Sequence, residues 1–134
     1  MLVKLSVSNY ALIDKLSVNF HRNLNTVTGE TGAGKSIILG ALGLILGKRA
    51  DLSVLKDNSI KCIVEGIFDI KNYKLHSFFE NNDLDYDTQT ILRREITPSG
   101  KSRAFINDTP VNLKTLHILG LQLIDIHSQH QNLD

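Results

Sequence analysis

The stretch Gly29-Glu30-Thr31-Gly32-Ala33-Gly34-Lys35-Ser36 decides the reading of this chain. It fills every fixed position of G-x-x-x-x-G-K-[ST] and adds a further glycine at 32. A triphosphate is wrapped by backbone N–H groups, so the chain around it must curl tightly with no Cβ in the way. Glycine tolerates the positive φ angles such a curl needs, and Gly29, Gly32 and Gly34 supply it. Lys35 is placed to reach the β- and γ-phosphates as a mobile point charge. The Ser36 hydroxyl is placed to ligate a magnesium ion bridging them. The expected ligand is a purine nucleoside triphosphate, ATP with Mg²⁺. Its expected contacts are Gly29, Glu30, Thr31, Gly32, Ala33, Gly34, Lys35, Ser36 and Ile37.

The flanks supply the context that such a loop requires. Residues 23–28 are short and partly β-branched, which predicts a strand running into Gly29. Residues 36–46 are apolar all round, which predicts a largely buried helix whose N-terminal dipole end faces the phosphates. Gly47, Lys48 and Arg49 close it, the glycine by releasing the backbone and the cations by sitting at the negative dipole end.

Further out, Val3, Leu5 and Val7 alternate with polar residues, as do Leu16, Val18 and Phe20, giving two antiparallel strands. Period-two alternation over residues 60–70 predicts a long strand, and a short helix is read at 73–79. Segments 88–96 and 102–106 flank Pro98-Ser99-Gly100 and read as a hairpin, with Asn107-Asp108 as the next turn. Asn112 caps a short helix through His117 that Gly120 ends, and residues 121–126 read as a last strand. The whole is one mixed α/β unit without internal repeats.

Composition narrows the function classes. At 134 residues with 42% hydrophobic and 22% charged residues, the chain has the profile of an ordinary folded domain. A formal net charge of +1 gives no bulk field toward nucleic acid or anionic membrane. The lone Cys62 makes no internal disulfide and reads as inert packing, so the expected location is the cytoplasm. The longest apolar run, residues 37–46, is far below the roughly 20 residues a bilayer needs. Arg93, Arg94, Lys101 and Arg103 gather on the hairpin, either to meet phosphates or as cations of a solvated edge strand. His127 and His130 lack a third ligand type, which makes zinc a poor reading.

A phosphate loop alone leaves kinases, GTPases and ABC-type ATPases open. The stretch Leu5-Ser6-Val7-Ser8-Asn9-Tyr10-Ala11-Leu12-Ile13, close before the loop, resembles the opening of SMC-like ATPases. Thr28 to Ser36 followed by Gly47-Lys48-Arg49-Ala50-Asp51 resembles the RecN family of bacterial DNA-repair ATPases within that group. Arg93-Arg94-Glu95-Ile96, Ser102-Arg103-Ala104-Phe105-Ile106-Asn107 and Asp125-Ile126-His127-Ser128-Gln129-His130 agree, so the resemblance runs over the whole chain.

The resemblance implies the fold of an ABC-type P-loop NTPase head, in its N-terminal lobe, with an antiparallel β layer beside the P-loop core. It also implies that Gln129 is the Q-loop glutamine, contacting the magnesium and the attacking water, although Ser128 stands where the family has glycine. The Walker B strand, catalytic glutamate and Ser-Gly-Gly signature of such a site are not in this sequence, and Asp125 is followed by Ile126 rather than an acidic residue. The chain is therefore expected to be the N-terminal half of a head, one whose missing parts lie beyond a coiled coil. Its expected partners are the C-terminal half of its own head, a second head in an ATP-dependent dimer, and DNA, with a nucleoid-associated location. A small-molecule kinase, another SMC- or RecF-like repair ATPase, or a DNA-binding module that keeps the loop only as a fold element are the alternatives.

Overall fold

Among the described residues the strands form a six-stranded antiparallel sheet, most of it where the alternation along the chain puts it. The computed structural model describes residues 1–20, 32–50 and 52–132. The strands are β1 (Leu2–Tyr10), β2 (Ile13–Asn19), β3 (Cys62–Asp69), β4 (Gln89–Ile96), β5 (Ser102–Ile106) and β6 (Thr109–Val111), and they lie in the sheet in the order β2-β1-β3-β4-β5-β6. The predicted strand at 23–28 lies outside the described residues. The 60–70 strand and the 88–106 hairpin appear where the period-two pattern puts them, and β6 is an addition too short for that pattern to reveal.

Strand alternation gives the sheet a buried apolar inner face and an outer face where charged residues mix with half-buried Ile63, Ile67, Ile91 and Phe105. Leu5 and Val7 of β1, Cys62, Val64 and Phe68 of β3, Leu92 and Ile96 of β4, and Ala104 and Ile106 of β5 are all buried on the inner face. On it lies helix α1 (Gly32–Ile45), which buries Ile38, Ala41, Leu44 and Ile45 against β1, β3 and β4. Helix α3 (Leu113–Asn132) covers β5, burying Leu116, Leu119 and Leu123 at helical spacing. Short helix α2 (His76–Asn81) sets Phe79 fully into the core, edge-on to Tyr86.

Two expectations need correction. Residues 121–126 are not a strand: α3 runs through Gly120 to Asn132, and Asp125 therefore ends no strand. A short apolar run does not distinguish a buried strand from a helix, and Gly120 sits in mid-helix because another backbone approaches it, not because it ends the helix. Likewise α1 starts at Gly32 rather than Ser36, so Gly32 and Gly34 already belong to the first turn.

Turn chemistry elsewhere follows the sequence. Asn107 and Asp108 take φ of 48° and 67° between the paired Ile106 and Thr109, a two-residue hairpin loop with both central residues left-handed. Asn112 accepts the Thr115 N–H at 2.7 Å, capping α3 as expected.

Candidate nucleotide-binding site

The site is built at the N-terminal end of α1. That helix has no acidic residue in its first turn, which leaves the positive end of its dipole uncompensated by its own side chains. Lys35 and Ser36 are both exposed in the first turns, Gly34 and Ile37 are half-buried, and Ile38 begins the buried stripe. An ammonium and a hydroxyl thus reach solvent side by side at the cationic end of a helix whose opposite side is anchored in the core. This donor set suits an anion with an associated hard cation. Gly29, Glu30 and Thr31 lie outside the described residues. Of Gly32 and Ala33 the structure gives the helical backbone.

At its other end, α1 closes on Gly47, as the sequence suggests. Lys48 N–H donates to the Gly43 carbonyl at 3.0 Å and Gly47 N–H to that of Leu44 at 3.3 Å, with Gly47 at φ 98°. This is the Schellman arrangement, and it needs a left-handed residue at 47. Lys48 and Arg49 are exposed at that end, and a third cation is buried there. It is Arg94 of β4, only 1% exposed, whose Nη1 donates to the carbonyls of Leu44 and Lys48 at 2.7 Å each. Arg94 Nε and Nη2 donate to Ser102 Oγ at 3.1 and 2.8 Å. Burial lowers the Arg94 pKa, and the nearby Cys62 thiol opposes that shift.

This corrects the reading of the hairpin cations. β4 lies between β3 and β5 and is no edge strand. Arg94 points inward, and Arg93 on the outer face pairs with Glu95 (3.2 Å), Asp108 (2.8 Å) and Glu65 (3.7 Å) while lying 4.3 Å over the Phe105 ring. Neither is a loose cation for a polyanion. Lys101 and Arg103 are exposed.

Gln129 falls within α3, whose backbone is helical there; its side chain, like those of His127 and His130, is outside the description. Among the described residues no group of three or more His, Cys, Asp or Glu side chains is arranged to hold a metal. A groove of about 370 Å³ between Ser6, Ser8, Lys15, Ser17, Ile63 and Glu65 lies on the outer face. The sheet separates it from α1, and it gathers no convergent catalytic groups. No described helix is long and apolar enough to cross a membrane.

Comparison with known proteins places this geometry. The family model described as an AAA domain matches residues 4–133. DNA repair protein RecN of Vibrio cholerae is 45% identical over 131 residues, covering 97% of this chain and 24% of that protein. RecN of Bacillus subtilis is 38% identical over 134 residues, covering 98% and 23%. The chain therefore spans about a quarter of the length of the curated relatives it matches. An SMC ATPase structure from work on ATP-driven dimerization and DNA-stimulated activation superposes with a TM-score of 0.72 at 16% identity, covering 92% of this chain and 79% of that one. A structure of the recombination mediator protein RecF gives a TM-score of 0.62 at 15% identity, covering 87% and 29%. At these identities the structures speak for the fold, the N-terminal lobe of an SMC/RecF-type ATPase head. The chain belongs to the AAA-domain family, is RecN-like in sequence, and carries an SMC-type head fold.

Proposed function

We propose that this chain binds ATP with Mg²⁺ as the N-terminal half-head of a RecN-like protein. That protein acts in recombinational repair of DNA double-strand breaks through ATP-dependent head dimerisation and hydrolysis. The observation that carries the reading is the exposed Lys35–Ser36 pair at the acid-free start of α1, inside a complete G-x-x-x-x-G-K-S pattern. In this reading Gly29 to Gly34 and Ile37 line the phosphates, and Lys35 stabilises charge on the β- and γ-oxygens. Ser36 holds the magnesium, which would supply charge neutralisation of the γ-phosphate when bound, and Gln129 helps orient the magnesium and the attacking water. The Walker B and signature elements absent from the sequence would come from the C-terminal half of the same head and from a second head, and DNA would be the substrate platform of the full protein.

A titration with a fluorescent ATP analogue tests this: wild type binds in Mg²⁺, Lys35→Ala loses at least roughly tenfold in affinity, and EDTA weakens binding to wild type. Equal affinity of wild type and Lys35→Ala would favour an assembly module that keeps the loop only for its fold. The 134-residue chain by itself is expected to turn over little or no ATP. Robust Mg²⁺-dependent hydrolysis that Lys35→Ala abolishes would contradict the half-head reading.

A further inference from the structure

Arg94 bears on the nucleotide site proposed above, and its role rests on that reading. Helix α1 meets the sheet through Ile38, Ala41, Leu44 and Ile45. Apolar burial of this kind is non-directional, so it fixes the axial position of a helix only through how its side chains interlock. Arg94 adds direction. From the centre of the sheet its guanidinium bridges the carbonyls of Leu44 and Lys48, on either side of Gly47, and is itself oriented by Ser102 Oγ across the β4–β5 ladder.

The partners Arg94 bonds are neutral: two carbonyl oxygens and one hydroxyl. A buried cation held this way is compensated chiefly by the negative end of the α1 dipole. An apolar side chain at 94 would leave the Leu44 and Lys48 carbonyls without this donor, so the guanidinium both satisfies the end of α1 and holds it in register. Leu44 lies eight residues beyond Ser36 in the same helix. At about 1.5 Å rise per residue the clamp is roughly 12 Å from the ligating hydroxyl, along a stiff rod.

We propose that Arg94 is a positioning residue for the phosphate site. By clasping the C-terminal end of α1 to β4 and β5, it sets the axial position of Lys35 and Ser36 without touching the nucleotide. Lysine at 94 keeps the charge but has no planar fork to bridge two carbonyls and a hydroxyl together.

The test uses the full-length protein, N-methylanthraniloyl-ATP with Mg²⁺ as probe, and a temperature at which circular dichroism shows every variant fully folded. Arg94→Lys is expected to weaken binding roughly tenfold, since a misplacement of about 1 Å is enough to cost a site much of its function. Phe79→Leu, which disturbs the core beneath α2, serves as a destabilised control and is expected to bind as wild type does. Lys35→Ala separates the two layers of the argument. If it binds like wild type, the nucleotide reading itself fails. If it loses binding while Arg94→Lys stays within about twofold of wild type, only the role of Arg94 is overturned. Equal losses in Arg94→Lys and Phe79→Leu would also overturn it, by reducing Arg94 to general stability. Should Arg94→Lys not fold, Ser102→Ala decides: it removes the hydroxyl that orients the guanidinium, and a loss of roughly threefold is expected where unchanged affinity refutes.

Discussion

Gly120 of α3 rests directly on the backbone of Leu46, just past the end of α1: a Cβ at position 120 would stand 2.7 Å from the Leu46 carbonyl oxygen and 3.0 Å from its Cα. From the other side, a Cβ on Gly47 would meet the His117 Cα at 2.5 Å. Helix α3 therefore packs backbone against backbone on the turn that follows α1, with Gly120 on one side and Gly47 on the other. Alanine would favour the helical state at 120 by about 1 kcal/mol, but the clash is with main chain and cannot be relieved by turning a side chain. Gly120→Ala is expected to lower stability by about 1–3 kcal/mol in denaturant unfolding. A variant as stable as wild type would show that the contact is loose.

Tyr10 and Gly40 form a second close pair, in which the obstacle is soft. A Cβ at 40 would overlap the Tyr10 hydroxyl oxygen, while the Tyr10 Cζ would be 3.4 Å away, an ordinary contact. Removing the oxygen should therefore make room. Gly40→Ala made in a Tyr10→Phe background is expected to gain about 0.5–1 kcal/mol, the helix propensity of alanine, whereas the same change in wild type is neutral or destabilising. The coupling, about 1 kcal/mol, is read from a double-mutant cycle of unfolding free energies. Additive effects would refute the overlap.

Cys62 is fully buried on the inner face of β3, and burial pushes its thiol up to about 11 from 9.0, with Arg94 pulling the other way. The folded protein thus keeps the proton where the unfolded chain releases it. The stability tied to the neutral thiol is whole below pH 9.0 and declines as pH rises toward about 11, by at most about 1.4 kcal/mol per pH unit. Tyr10 and Tyr73 are raised by burial too, so the comparison is between wild type and Cys62→Val over that window. The valine variant is expected to show the shallower alkaline decline. Identical slopes would assign the decline to the tyrosines alone.

Asn9 is 2% exposed, left-handed at φ 56°, and accounts for the loop before β3. Its Nδ2 donates to the carbonyls of Asp57 and Ile60 at 3.0 Å, and its Oδ1 accepts the Asp57 N–H at 2.7 Å. Asn9→Ala removes these bonds and places a Cβ-bearing residue without asparagine's tolerance in the left-handed region. The expected cost is about 2–4 kcal/mol, from several net hydrogen bonds of about 1 kcal/mol each plus backbone strain. Hydrogen exchange at the Asp57 amide should rise with it. Unaltered protection of that amide would mean the loop holds itself.

Much of this could be read from residue order. The alternation of β1, β3, β4 and β5 needs only a period of two, and the Asn107-Asp108 turn and the Asn112 cap are local chemistry that five or six residues contain. Gly47 was legible as a helix end because a left-handed requirement leaves a mark on the residue that bears it. Two misreadings have a common cause. The apolar run at 121–126 and the glycine at 120 have no intrinsic preference strong enough to decide between strand, helix and stop. Their state depends on distant packing: Leu116, Leu119 and Leu123 bury on β5, and the backbone of Leu46, 74 positions earlier, closes on Gly120. Arg94 was equally opaque: beside Arg93 in a strand, the two arginines differ only in which face they take, and one ends in the core and the other among Glu65, Glu95 and Asp108.

Sequence alone determined the phosphate-loop pattern at Gly29 to Ser36, the amphipathic strands around it and the family they resemble, because each is a local relation among neighbours. Only the tertiary structure decided that β4 lies inside the sheet, that α3 is one continuous helix, and that the far end of the loop's helix is fastened by an arginine 50 residues away from Leu44. Those outcomes depend on which backbones come within hydrogen-bonding or van der Waals reach after collapse, a distance that no local pattern of side chains encodes.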